Sequence, residues 1–207
     1  MGDGHDHGYD HGHGHGGDGH GHGEAAGVDK LAVLALIRSC TQASEVLDRI
    51  GPDDLARPTP CAEWDVAALA NHLLAAPRIF ITMLQGRPPG WGREVLTEDF
   101  GEEFRRRGNV LINLWRETTE APMVDPDWHS AEIAVHTWDL ATALGIPTDG
   151  FDQQVAERAV VAMDRILGPQ RTGRAFADAR QAPAGASAYD HLAAYAGRVV
   201  PWEPPAG

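Results

Sequence analysis

From Asp29 onward, apolar residues recur every three or four positions, and glycine or proline ends each run. That period is the repeat of an α-helix with one buried face, and it leaves little room for a strand, where the repeat is two. In the first run, Leu31, Leu34, Ile37, Cys40, Ala43, Leu47 and Ile50 predict one apolar stripe on a long helix. Asp29 is placed to cap that helix, and Gly51-Pro52 to stop it. A proline-rich connector, 52–63, follows, with Arg57-Pro58-Thr59-Pro60 held extended. Asp65 opens a second helix carrying Val66, Leu69 and Leu73, and Pro77 predicts a kink or an end.

After a loop rich in Gly and Pro, Gly86 to Gly92, a third helix is expected from Asp99 to Thr118, with Phe100, Phe104, Leu111 and Trp115 toward the core. A fourth is expected after Ser130, ending at Gly145. A fifth spans Asp152 to Leu167 with Val155, Ala159, Met163 and Ile166 inward, and Gly168-Pro169 breaks it. The remainder reads as irregular, with one short helix from Ser187 to Ala196. No strand alternation and no internal repeat stands out. Four or five amphipathic helices make an all-α bundle, an architecture that places metal sites between facing helices.

Ahead of this body, composition changes abruptly near Glu24. Residues 1–23 are almost entirely Gly, His and Asp, and hold seven of the eleven histidines: His5, His7, His11, His13, His15, His20 and His22. So much glycine and so little apolar surface does not offset the entropy of ordering the backbone, so a disordered tail is expected when metal is absent. His-Gly-His and His-Asp-His steps bring imidazoles within reach of one ion, which suits zinc, nickel or copper with little geometric selectivity. A metal-handling tail, a neutral low-complexity extension and a purification addition all remain open as readings. The expected organisation is a tail over 1–23 and a helical bundle over 24–207.

The formal net charge of −13 argues against phosphate backbones and anionic lipid surfaces as partners. Arg105-Arg106-Arg107 follows Glu102 and Glu103, the pattern of a solvated helix face with local ion pairs. Cys40 and Cys61 make neither a disulfide framework nor a zinc ribbon. No long apolar run and no basic-then-apolar N-terminus is present, so the cytoplasm is the default expectation.

Four histidines lie in the body: His72, His129, His136 and His191. Glu132 and His136 are four apart on the fourth helix and so share a face, where a carboxylate and an imidazole can reach one ion. His72 sits at the edge of the second helix's buried face. Three ligands from two helices leave a position open, as catalytic zinc sites do. The plainer alternative has Glu132 favouring the positive end of its helix and His136 as a hydrogen-bonded core histidine. Asp139 is either the acceptor for the spare ring N–H of His136, or an exposed helix acid. Cys61 is either a nucleophile or a small buried residue, and Trp64 and Trp138 are packing anchors.

Thr59-Pro60-Cys61-Ala62-Glu63-Trp64-Asp65-Val66 through His72-Leu73, and Glu132-Ile133-Ala134-Val135-His136-Thr137-Trp138-Asp139-Leu140-Ala141 with Gly145, resemble two signatures of one actinobacterial family. It is the mycothiol-dependent maleylpyruvate isomerase-like, DinB/YfiT-related metal-binding group. A looser third match is Ala186-Ser187-Ala188-Tyr189-Asp190-His191-Leu192 with Gly197-Arg198. The resemblance covers roughly residues 28–202. It implies a DinB-like four-helix bundle with an extra C-terminal segment. It carries a metal triad onto His72, Glu132 and His136, and it leaves His129 and His191 as surface residues or residues behind the ligands.

It also implies a divalent ion, zinc by the donor set but with nickel, iron and manganese open, and mycothiol as co-substrate. The activity implied is isomerisation or S-transfer, in which the thiol rather than a protein side chain attacks a small electrophile. No catalytic residue is assigned. Two other readings stand: a non-catalytic metal-handling protein that uses the tail, and a regulatory protein with a vestigial site. Monomer and dimer both remain open.

Overall fold

The computed structural model describes residues 27–62, 64–88, 90, 99–119, 124–169, 171 and 176–205. The seven tail histidines and part of the 86–92 loop lie outside the described residues. Among the described residues six helices follow one another: α1 (Lys30–Leu47), α2 (Val66–Leu84), α3 (Phe100–Glu117), α4 (Pro126–Leu144), α5 (Gln153–Leu167) and α6 (Ala188–Tyr195). A single 3-10 turn at Pro52–Asp54 and an isolated bridge between Pro58 and Asp65 complete the pattern, with no strand among the described residues.

The helix starts rest on the capping chemistry that the sequence advertises. Asp29, Asp65, Asp152 and Ser187 each accept a hydrogen bond from a backbone N–H in the first turn of α1, α2, α5 and α6. Gly145 ends α4 in the left-handed region at φ 72°, where a side chain would be strained.

Helices α1 to α4 form a four-helix core: α1 packs on α3 and α4, and α2 packs on the same two. Leu36, Leu47, Leu69, Leu73, Phe104, Leu111, Trp115, Ile133 and Leu140 fill it. A second core joins the far side of α4 to α5, α6 and Phe176, through Trp138, Val155, Met163, Tyr189 and Leu192. Helix α4 is therefore covered all round. A helix in that position should be apolar on every face, yet α4 buries His129, Glu132, His136, Thr137 and Asp139. Those polar groups cost desolvation free energy unless each is partnered, which makes α4 the place to look for a site.

Several sequence expectations need correction. Leu31 and Leu34 are 64% and 40% exposed, because the buried face of α1 runs instead through Ala32, Val33, Leu36, Cys40, Ala43, Val46 and Leu47. The two leucines line a groove of 690 Å³ between α1 and α5, together with Val161 and Arg158. Ile166 is likewise 39% exposed.

Pro77 does not end α2; the helix continues to Leu84. A proline inside a helix removes one ladder hydrogen bond, here the one to the Leu73 carbonyl, and the helix continues past it, with Arg107 from α3 donating to the neighbouring Leu74 carbonyl at 2.8 Å. Helix α4 starts five residues earlier than expected, with Asp125 as cap and Pro126 in its first turn. By length and composition α2 could cross a membrane, but 56% of the apolar window is buried inside the bundle, and this burial accounts for its apolar character.

The basic run on α3 is a solvated face. Arg105 pairs with Glu102 and with Asp48, the residue that caps the end of α1, and Arg106 pairs with Glu103. Arg107 also pairs with Glu103 while reaching α2. Gly101 sits against the end of α1: a Cβ there would lie 2.7 Å from the Ser44 carbonyl oxygen.

Candidate metal centre

The connector before α2 folds back over the start of that helix. The N–H of Val66 donates to the Arg57 carbonyl and that of Ala67 to the Leu55 carbonyl. Thr59, 4% exposed, closes the turn by donating from its hydroxyl to the Trp64 carbonyl at 2.8 Å. This holds Trp64 over the body of the bundle, with its ring centroid 4.5 Å from that of His72 and 5.5 Å from that of His136.

Beneath Trp64, His72 from α2 meets Glu132 and His136 from α4. One donor atom of each lies within 4.8 Å of the other two. His72 Nε2–H donates to Glu132 Oε1 at 3.2 Å, and His136 Nε2 lies 3.6 Å from the same oxygen. Spacing on α4 explains the second contact: residues four apart are stacked one turn over the other. The His72 side chain is the most exposed of the three at 13%. The other carboxylate oxygen, Glu132 Oε2, is buried with no hydrogen-bond partner.

Asp139 is completely buried, so it is not an exposed helix acid. His136 Nδ1–H donates to Asp139 Oδ2 at 3.0 Å. Arg198, beyond α6, grips the same carboxylate with both arms of its fork, Nε to Oδ1 at 3.0 Å and Nη2 to Oδ2 at 2.8 Å. A proton held on Nδ1 leaves the Nε2 lone pair of a neutral His136 facing Glu132 and His72. Arg198 is the residue that sequence reading leaves without a role. It lies 59 residues from Asp139, and only its place after Gly197 in the third, loose signature marks it.

These contacts decide the protonation balance. Burial alone would raise the Glu132 pKa, but the two imidazoles beside it, His136 and His72, outweigh it and hold the carboxylate below its usual range. Burial disfavours a charged His136, yet Asp139 and Glu132 outweigh that and raise it above an ordinary histidine. For His72, burial prevails over the Glu132 hydrogen bond and lowers the pKa. Asp139 is pushed up by burial and pulled down further by Arg198 and His136, ending low.

A second cluster joins Cys61, half-buried, to His136 and Asp139 within 4.8 Å. Both Asp139 oxygens are already engaged by Arg198 and His136, so this cluster is a closed hydrogen-bond network rather than an open donor set. The fold thus sets a histidine beside Cys61 that the sequence order does not reveal.

His129 is not on the surface: it is fully buried, stacked on Phe80 at 4.0 Å between ring centroids. His191 is exposed and belongs to neither donor group. Trp138 anchors α6, with its indole N–H donating to Asp190 at 2.9 Å.

Two histidines and a glutamate thus converge between two helices of an all-helical bundle, where a metal ion could be held. Residues 36–124, from within α1 to the end of α3 and beyond, match the family model described as the mycothiol maleylpyruvate isomerase N-terminal domain, a match that includes the first of the signatures. That match includes His72 and stops short of Glu132 and His136. Two curated relatives, both titled as uncharacterized proteins of Mycobacterium tuberculosis, are similar over a longer stretch: MT0763 of strain CDC 1551 / Oshkosh and Rv0738 of strain H37Rv. Each is 29% identical over 166 residues, covering 75% of this chain and 91% of the relative. No solved structure matches the chain.

Proposed function

We propose that the protein binds one divalent ion through His72, Glu132 and His136 and uses it to activate a low-molecular-weight thiol, mycothiol, against a small electrophile. The observation that carries this reading is the convergence of three donors from α2 and α4, with Glu132 Oε2 buried and unpartnered beside them. An orphaned buried carboxylate oxygen costs free energy in the metal-free chain, and a cation is the partner it suits. Two nitrogens and one carboxylate are the donor set of an open zinc site. When bound, the ion would favour the thiolate over the thiol and so supply a nucleophile at neutral pH.

The chain's own residues orient and shield. Asp139 and Arg198 fix the His136 ring with Nε2 inward. Trp64, held by Thr59, covers both imidazoles and limits water on that side. His72, the most exposed of the three, marks the side from which a thiol enters. The family match supports a thiol of the mycothiol type, and the electrophile follows as a small molecule with an addition-prone carbon, giving isomerisation or S-transfer.

The alternative is metal handling without catalysis, favoured by the seven histidines of residues 1–23. Titration of mycothiol into the zinc-loaded full chain, with the tail histidines replaced by asparagine, separates the two. The thiol reading predicts one equivalent of mycothiol bound, lost in His136→Ala. Zinc uptake with no heat of mycothiol binding contradicts it and favours handling.

A further inference from the structure

His129 is one turn before Glu132 on α4, three residues away, so the two side chains share a face of the helix. Its ring is fixed on two sides. Phe80 stacks on it at an interplanar angle of 7°. The indole N–H of Trp115 donates to His129 Nδ1 at 3.3 Å. An Nδ1 that accepts cannot carry a proton, so in the neutral ring the proton sits on Nε2. Burial keeps the ring neutral, lowering its pKa to about 3.

The His129 Nε2–H is thus a buried donor with no partner. One turn along the same helix, Glu132 Oε2 is a buried acceptor with no partner. Buried polar groups in folded proteins are rarely left unpaired, and these two are complementary in kind. We propose that His129 is the positioning residue of Glu132: its Nε2–H reaches Oε2 through one buried water, sets the rotamer from which the carboxylate meets His72 and His136, and leaves the second lone pair of that oxygen for an ion. Chains of this form run behind many metal ligands, and their loss weakens metal binding about 10–100-fold. Both α4 ligands would then be braced from behind, His136 by Asp139 and Arg198, and Glu132 by His129 and Trp115. This rests on the metal reading for its consequence, but not for the hydrogen bond itself.

Two variants separate positioning from packing. In His129→Gln, the amide N–H₂ takes the place of the Nε2–H while the flat stack on Phe80 is lost. In His129→Phe, the stack is kept and the donor removed. Positioning predicts that zinc affinity of the full chain, with tail histidines replaced by asparagine, stays within about threefold in the Gln variant and falls about 10–100-fold in the Phe variant. The reverse order would assign His129 a packing role and overturn the proposal.

A second arm needs no metal. In ¹⁵N-histidine spectra of the metal-free protein, His129 is expected as the Nε2–H tautomer, with a downfield proton resonance that moves upfield in Glu132→Gln. An Nδ1–H tautomer, or a resonance indifferent to Glu132→Gln, overturns the proposal. If the parent binds no zinc at the triad, the metal reading fails alone, and the spectra still decide the His129 link.

Discussion

Removing the Arg198 side chain isolates a buried carboxylate. Asp139 is fully buried, and Arg198 supplies two of its three hydrogen bonds, at 3.0 and 2.8 Å; the third comes from His136 Nδ1–H. Arg198→Met therefore strands a negative charge in the second core. Breaking a buried pair from one side costs about 3–5 kcal/mol, a large part of the stability of a domain this size. Arg198→Lys keeps the charge and loses the fork, for about 1.5–3 kcal/mol, the worth of one charge-assisted hydrogen bond.

The double variant Asp139→Leu/Arg198→Met removes both charges and should recover most of that loss, because an apolar replacement of a buried pair is often neutral. It does not restore the acceptor for His136, so zinc affinity at the triad stays about 10–100-fold below the parent. Urea unfolding of the metal-free proteins and zinc competition titrations measure the two quantities separately. A loss below about 1 kcal/mol in Arg198→Met, or parent-like zinc affinity in the double variant, would refute the reasoning that Asp139 and Arg198 orient the ligand.

Gly101→Ala should cost about 1–3 kcal/mol in urea unfolding, since its Cβ would lie 1.9 Å from Asp48 Oδ1 and 2.7 Å from the Ser44 carbonyl oxygen, and a backbone oxygen cannot rotate away. His129 predicts a pH dependence. Its folded pKa is lowered from 6.5 to about 3 by burial, so above 6.5 neither state holds the proton and the full stability is present. As pH falls below 6.5 the unfolded chain takes up a proton that the folded one refuses, at about 1.4 kcal/mol per pH unit until the folded pKa is reached. Metal-free His129→Phe should therefore lose less stability than the parent between pH 6.5 and 4, and parallel curves would contradict the burial of a neutral ring.

Local chemistry made much of this fold legible. Asp29, Asp65, Asp152 and Ser187 sit at the boundaries they predict because a cap is a contact within one turn. The face of α3 is legible because polar residues separate Phe100, Phe104, Leu111 and Trp115. Residues 31–37 of α1 are apolar throughout, so the period has no contrast there, and only packing against α3 and α4 decides that Leu36 turns in and Leu31 out. The start of α4 carried a readable signal in Asp125-Pro126, a cap followed by a proline in the first turn. Pro77 misleads because it removes only one hydrogen bond of the ladder, and the packing of α2 on α3 and α4 carries the helix past it. Of the site, the two signatures name His72, Glu132, His136 and Asp139, whereas Arg198 and the burial of His129 under Phe80 depend on contacts between distant segments.

Whether His72, Glu132 and His136 hold an ion is decided by zinc stoichiometry. The measurement uses the full chain with the seven tail histidines replaced by asparagine, beside the same protein carrying His72→Ala, Glu132→Gln or His136→Ala. One equivalent of tightly held zinc in the parent, weakened in each of the three variants, is the predicted result. No bound zinc in a folded parent, or one equivalent that survives all three substitutions, contradicts it.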